Sequence, residues 1–198
     1  MMPMISKKAL MIAPIAALSL SGCGINSIPT AEEDAKARWA DVQNEYQRRA
    51  DLVPNLVATV KGYAKQEKDV LVEVTNARAR ATGINVSAND LNDPAKVKAF
   101  EDAQGSLSQS LGRLLMVTEN YPDLKSNQNF LALQSQLEGT ENRITIARRD
   151  YNASVQAYNT RIRTFPDMIG AKFIYGAKPM VTFQATTPNA QTAPTVSF

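Results

Sequence analysis

Few residues in this chain are equipped for chemistry, and their types narrow what that chemistry could be. Its 198 residues include no histidine and one cysteine, Cys23. A structural disulfide within the chain and a Cys/His zinc site are therefore excluded. The commonest general base and the usual nucleophile–base pairs are also missing, which leaves a Ser–Lys pair or a carboxylate mechanism as formal options. Glu138 and Glu141 lie near each other on one predicted helix face, whereas Glu101 and Asp102 are only adjacent in sequence. Di-iron carboxylate bundles pair glutamates with a Glu-x-x-His motif, which a chain without histidine cannot supply. No glycine-rich phosphate loop, metal-ligand spacing or nucleophile elbow is visible. No catalytic, cofactor-binding or metal-ligating residue is assigned, and neither a cofactor nor an enzymatic activity is expected.

Cys23 stands apart because its surroundings suit covalent modification. Lys7 and Lys8 precede a largely apolar run from Ala9 to Leu20. Twelve residues are too few to cross ~30 Å of hydrocarbon as a helix, but they suit the core of a signal peptide. The run ends in Leu20-Ser21-Gly22-Cys23, which resembles the bacterial lipobox: a branched residue, two small residues, then cysteine. The resemblance implies cleavage before Cys23, a diacylglycerol on its thiol and an acylated N-terminus. At ~0.8 kcal/mol per buried CH₂, several acyl chains (palmitate among them) form a stable membrane anchor. Gly24 follows, with no aspartate there. By resemblance to lipoprotein sorting signals, this favours the periplasmic side of the outer membrane. An ordinary signal peptide with an incidental cysteine is the competing account.

Charge points away from nucleic acid. Without Lys7 and Lys8 the chain holds twenty basic and nineteen acidic side chains, near +1. They are interspersed, as on a solvated surface. Arg143, Arg148, Arg149, Arg161 and Arg163 crowd one predicted helix. They could form a basic strip for anionic lipid headgroups or an acidic protein. Salt bridges to Glu138, Glu141, Asp150 and acids of the first helix are the favoured account. Asn142, Asn152 and Asn159 in the same segment suit either exposed contacts or buried register-setting positions. Arg143, Arg148, Arg149, Asn152 and Asn159 are the candidate partner-contact face. The terminal Pro194-Thr195-Val196-Ser197-Phe198 could be captured by a carboxylate-binding groove of an envelope protease or similar module, or be a plain tail.

Positioning these residues falls to helices. The densest stripe is Phe130, Leu133, Leu137, Thr140, Ile144, Ala147, Tyr151, Ser154 and Tyr158, spaced three and four apart within Phe130–Phe165. A second stripe runs Trp39, Val42, Tyr46, Arg49, Val53, Leu56, Val60, Tyr63, Glu67, Val70, Val74, Ala77 and Ala81. It predicts a first helix, with Thr30 able to cap it, that fades at Thr82-Gly83. Pro54 either kinks this helix or divides it with Asp51 as a new cap; the unbroken apolar phase favours continuity. Asp93-Pro94 predicts the start of a second helix to about Asn120, in which Gly105 and Gly112 suggest close helix approach. The short connection after Tyr121-Pro122-Asp123 predicts that the second and third helices are antiparallel neighbours. Ile169, Phe173, Ile174, Tyr175, Val181 and Phe183 are too apolar for a free linker, so 167–183 is expected to pack on one end of the bundle. The expected organisation is a signal peptide (1–22), a lipidated tether (23–30), a helical domain (31–183) and a disordered Thr/Pro/Ala/Gln-rich tail (184–198). The fold class is all-α: an antiparallel bundle of long helices with coiled-coil-like packing.

Residues 48–67 (RRADLVPNLVATVKGYAKQE), 111–166, and Lys178-Pro179 with Val181 and Phe183 resemble the LemA family. That resemblance implies an antiparallel helical bundle held at a membrane by its N-terminus, with a biochemical activity that is generally unassigned. It therefore carries over no functional residue. Many members begin with an uncleaved membrane helix, and the lipobox here is a departure. The expected function is a lipid-anchored scaffold or adaptor of the bacterial cell envelope with a protein partner. The alternatives are an accessory subunit of an envelope protease or transport complex, and a direct lipid-binding protein.

Overall fold

The computed structural model describes residues 26–184, whose regular secondary structure is all helical. Cys23, the expected signal peptide (1–22) and all but the first residue of the expected tail (184–198) lie outside the described residues.

Helix α1 spans Ser27–Tyr63 and buries Trp39, Val42, Tyr46, Arg49, Val53, Leu56 and Val60, the predicted stripe. It starts ahead of the predicted cap. Thr30 lies inside the first turn, where its hydroxyl donates to the Asn26 carbonyl at 2.8 Å. Half of the expected tether, Ser27 to Thr30, is thus already helix, and Pro29 sits in the first turn, where a missing N–H costs little. Pro54 lies within α1 without dividing it. The carbonyl of Ala50, which Pro54 cannot serve, instead accepts from Arg78 Nε at 2.8 Å.

The first helix does not run to Gly83. It ends at Tyr63, and α2 (Lys68–Gly83) folds back alongside it. Arg78 beside Ala50 fixes the two as antiparallel. The apolar repeat crosses the turn because both arms of the hairpin face one core. The available signal was Lys65 to Asp69, five consecutive polar residues.

A 3₁₀ turn, Ala88–Asp90, leads to α3 (Pro94–Thr118). Asp93 caps α3 as expected, accepting from the N–H groups of Ala95 at 2.9 Å and Lys96 at 3.3 Å. Gly105 and Gly112 mark no close approach: a Cβ at either would meet nothing within 4 Å. The short α4 (Pro122–Lys125) joins α3 to α5 (Gln128–Arg161). Asn127 caps α5 by accepting from Phe130 N–H at 3.1 Å. At 34 residues α5 is about 50 Å long. It runs antiparallel to α1 and packs chiefly on it; α3 packs chiefly on α2. The second and third predicted helices are therefore antiparallel, and they meet through side chains such as Arg148 and Glu101 rather than by close backbone packing.

Past α5 the chain forms α6 (Asp167–Gly170), a π-helical turn (Ala171–Tyr175) and a left-handed Gly176 at φ 56°. Residues 178–184 then run back along the bundle as an extended strap. The core is in two parts. One, around Trp39, joins the first half of α1, the second half of α5, Phe100 and the strap residues Met180 and Phe183. The other joins Val53, Leu56 and Val60 to α2, Leu107, Leu111, Leu114, Phe130 and Leu137.

Candidate functional site

Between the two apolar clusters lies a polar layer built on Arg49. This side chain is 1% exposed although it stands on the apolar stripe of α1. Its Nη1 donates to Ser108 Oγ at 2.6 Å and to Glu141 Oε1 at 3.0 Å. Its Nη2 donates to Gln104 Oε1 at 2.6 Å and to the Gln104 carbonyl at 3.1 Å. Gln104 passes the chain of bonds on to the Ala81 carbonyl at 3.2 Å. The guanidinium also lies 5.0 Å from the centroid of the Tyr46 ring, whose hydroxyl pKa is raised by burial. One cation thus ties α1, α2, α3 and α5 together at mid-height, and Nε alone lacks a partner. A buried charge is tolerable only when paired and hydrogen-bonded, which this geometry provides. The layer is structural. Sequence reasoning placed Arg49, Gln104 and Thr140 on apolar stripes without asking why polar residues stood there; that mismatch was the signal.

The strap supplies a second polar constellation. Asn159 donates to the Met180 carbonyl at 2.8 Å and accepts from Met180 N–H at 2.9 Å. Asn152 does the same with Phe183, at 3.0 Å and 2.8 Å. Seven helical residues rise about 10.5 Å, and three extended residues cover about 10 Å. The i, i+7 asparagines therefore match the i, i+3 peptide groups of a strap running antiparallel to α5. Tyr151 and Tyr158 add hydroxyl donations to the carbonyls of Val181 and Lys178. At the Asn152 clamp Phe183 stacks on Trp39, with ring centroids 5.7 Å apart and planes 23° apart. Val181 N–H reaches the Leu91 carbonyl at 2.8 Å.

The five predicted contact residues thus divide. Arg143 pairs with Glu45 of α1 at 3.0 Å. Arg148 pairs with Glu101 at 3.3 Å, donates to the Gln184 carbonyl at 2.9 Å and lies over the Phe183 ring at 4.7 Å. Burial holds the Glu101 carboxyl above the usual range, against the opposing pull of Gln184 N–H and Arg148. Asn152 and Asn159 hold the strap. Arg149, paired with adjacent Asp150 at 3.1 Å, remains well exposed. Together with Arg163, Gln156 and Thr182, the outer edges of Asn152 and Asn159 and the Arg149 side chain line an open cleft of about 590 Å³.

Of the expected packing of 167–183, Met180 and Phe183 are buried, whereas Ile169, Phe173, Ile174 and Tyr175 are exposed. Among the described residues no group of acidic or cysteine side chains could hold a metal ion, and no helix is long and apolar enough to cross a membrane.

The family model described as LemA family matches residues 38–198, a span that takes in the Arg49 layer, the asparagine clamps and the strap. The chain belongs to the LemA family. It is 30% identical over 175 residues to magnetosome protein MamQ 2 of Paramagnetospirillum magneticum, covering 80% of this chain and 64% of that protein. It is 29% identical over 157 residues to MamQ of Magnetospirillum gryphiswaldense, covering 71% and 58%. With protein LemA of Metamycoplasma hominis it shares 29% over 121 residues, 61% of this chain and 51% of that one. The chain therefore spans less than two thirds of the length of these relatives.

Proposed function

We propose that this LemA-family protein is a non-catalytic, lipid-anchored scaffold or adaptor of the bacterial cell envelope, on the periplasmic side and with the outer membrane favoured. The observation that carries this reading is the junction of anchor and bundle: Cys23 of the lipobox-like motif precedes the first helical residue, Ser27, by four positions. A rigid bundle joined so closely to acyl chains is held at the membrane by one end, with its flanks open to a partner. The closed Arg49 layer supports a structural rather than a reactive role, because its hydrogen bonds hold helices together. Relatives named as magnetosome proteins fit a role in organising a cellular structure. The partner-contact face is the outer side of α5, where Arg149 and Arg163 flank the cleft beside the strap. Replacing Cys23 with Ala should release the protein from the membrane fraction or block its processing. Full processing with unchanged retention would refute the anchor. A photo-crosslinking residue in place of Arg149, in intact cells, should give one dominant adduct. A smear of weak adducts would remove the partner face while leaving the anchor standing.

A further inference from the structure

The end of the bundle at which α1 begins carries an apolar surface that the packing of the core does not use. Six of the eleven large hydrophobic side chains exposed among the described residues fall between residues 165 and 175: Phe165, Met168, Ile169, Phe173, Ile174 and Tyr175. The other five are scattered singly over the helices, as is ordinary for a protein surface, but a contiguous cluster marks an interaction site. Phe165 and Phe173 are each 78% exposed. Met168, Ile169, Phe173, Ile174 and Tyr175 are carried by the helical run 167–175, and Phe165 stands just before it. The run is not a loose end. Its inner face is seated by Gly170 against Ile28, where a Cβ would lie 3.6 Å from Ile28 Cδ1, and by buried Ala171. Asp167 accepts from Ser27 Oγ at 2.7 Å. The apolar face is therefore held outward by a packed inner face.

We infer that this face is a membrane-contact surface that seats the base of the bundle in the headgroup region of an anionic bilayer. The inference rests on the Cys23 anchor proposed above. Two residues, Gly24 and Ile25, lie between Cys23 and Asn26, so the covalent chain allows an acylated Cys23 no more than about 11 Å from that end. The bilayer that receives the acyl chains must then lie against the side of the molecule that presents the cluster. Charge agrees with this occupant. From Arg161 to Lys178 the segment carries Arg161, Arg163, Lys172 and Lys178 against one acid, Asp167. All four cations are exposed, and Asp167 is taken up by Ser27. Exposed aromatic and branched residues flanked by Lys and Arg are the composition of interfacial segments, which sink roughly 5–10 Å into the headgroup and acyl boundary. Basic residues near the surface of an anionic leaflet are drawn to it by its negative surface potential.

The test uses the acylated full-length protein in vesicles of phosphatidylglycerol and phosphatidylethanolamine. Acylation blocks the Cys23 thiol, so a nitroxide can be attached to a new cysteine alone, at Phe173→Cys or at Met116→Cys. Both positions are exposed, so neither change disturbs the core. Collision with oxygen, which concentrates in lipid, is compared with collision with a water-soluble nickel chelate. The label at residue 173 should favour oxygen severalfold and report a depth of about 5–10 Å, whereas the label at residue 116 should behave as in water. If the protein floats with the vesicles but both labels are aqueous, the surface assignment is overturned and the anchor stands. An immobilised label at 173 with no gain in oxygen collisions means a protein covers the face, and this also overturns the assignment. Failure to float overturns both readings.

Discussion

Arg49 occupies a position on α1 between Tyr46 and Val53, where the stripe otherwise buries apolar side chains. The two ends of its ion pair are unequally placed: the Arg49 side chain is 1% exposed and that of Glu141 40%. Removing the carboxylate strands a buried cation, whereas removing the cation leaves a carboxylate that water can still reach. Glu141→Ala should therefore cost more than Arg49→Met, about 3 kcal/mol against about 1–2 kcal/mol. Urea denaturation of both variants decides it, and the reverse order would show that the layer acts mainly by packing. The same residue illustrates how side-chain roles could and could not be read from sequence. A cation at a core position was visible, but its partners Gln104, Ser108 and Glu141 lie 55 to 92 residues away and come together only when α3 and α5 dock. Asn152 and Asn159 were recognised as polar residues needing a role. Their ligand, the peptide groups of Met180 and Phe183, carries no sequence signature at all.

Among the elements, α1 carries a defect and its repair. Pro54 leaves the Ala50 carbonyl without its helical donor, and Arg78 of α2 fills the vacancy across the hairpin. The repair couples the two helices. Arg78→Met should cost about 1.5–2 kcal/mol in the parent, as expected for a hydrogen bond from a charged donor. In a Pro54→Ala background, where residue 54 offers its own N–H, it should cost less than about 0.5 kcal/mol. A double-mutant cycle measures the difference as a coupling energy, and strict additivity would show that the bond does not compensate for Pro54. Helix existence, the Asp93 cap and the buried stripe of α5 were legible because they depend on local spacing. The α1–α2 turn was not found, because the apolar repeat keeps its phase when both arms face one core. The outward orientation of Gly105 and Gly112 depends on which face of α3 meets α2 and α1, which spacing alone does not specify.

For the molecule as a whole, the polar layer divides the core into two parts with different construction. The part around Val53 and Leu111 is closed by five helical segments, whereas the part around Trp39 is closed on one side by the strap. Trp39 is the sole tryptophan and stacks on Phe183, so it reports on the strap directly. A chain ending after Ala177 should show red-shifted Trp39 emission and fast amide exchange in 30–46 and 144–158. Amides of α2 and α3 around Leu111 should keep their protection. Uniform loss of protection along α1 would mean that the two parts unfold as one. The unbroken run of α1 has a further mechanical meaning. Its 37 residues make a strut about 55 Å long, stiffened along its length by α5 and, under the proposed anchoring, held at its foot, the Ser27 end. Such a strut is a lever. A tilt of about 10° at the foot sweeps the Tyr63 end through about 10 Å, so whatever grips the far end feels the attitude of the base as a displacement two side chains wide.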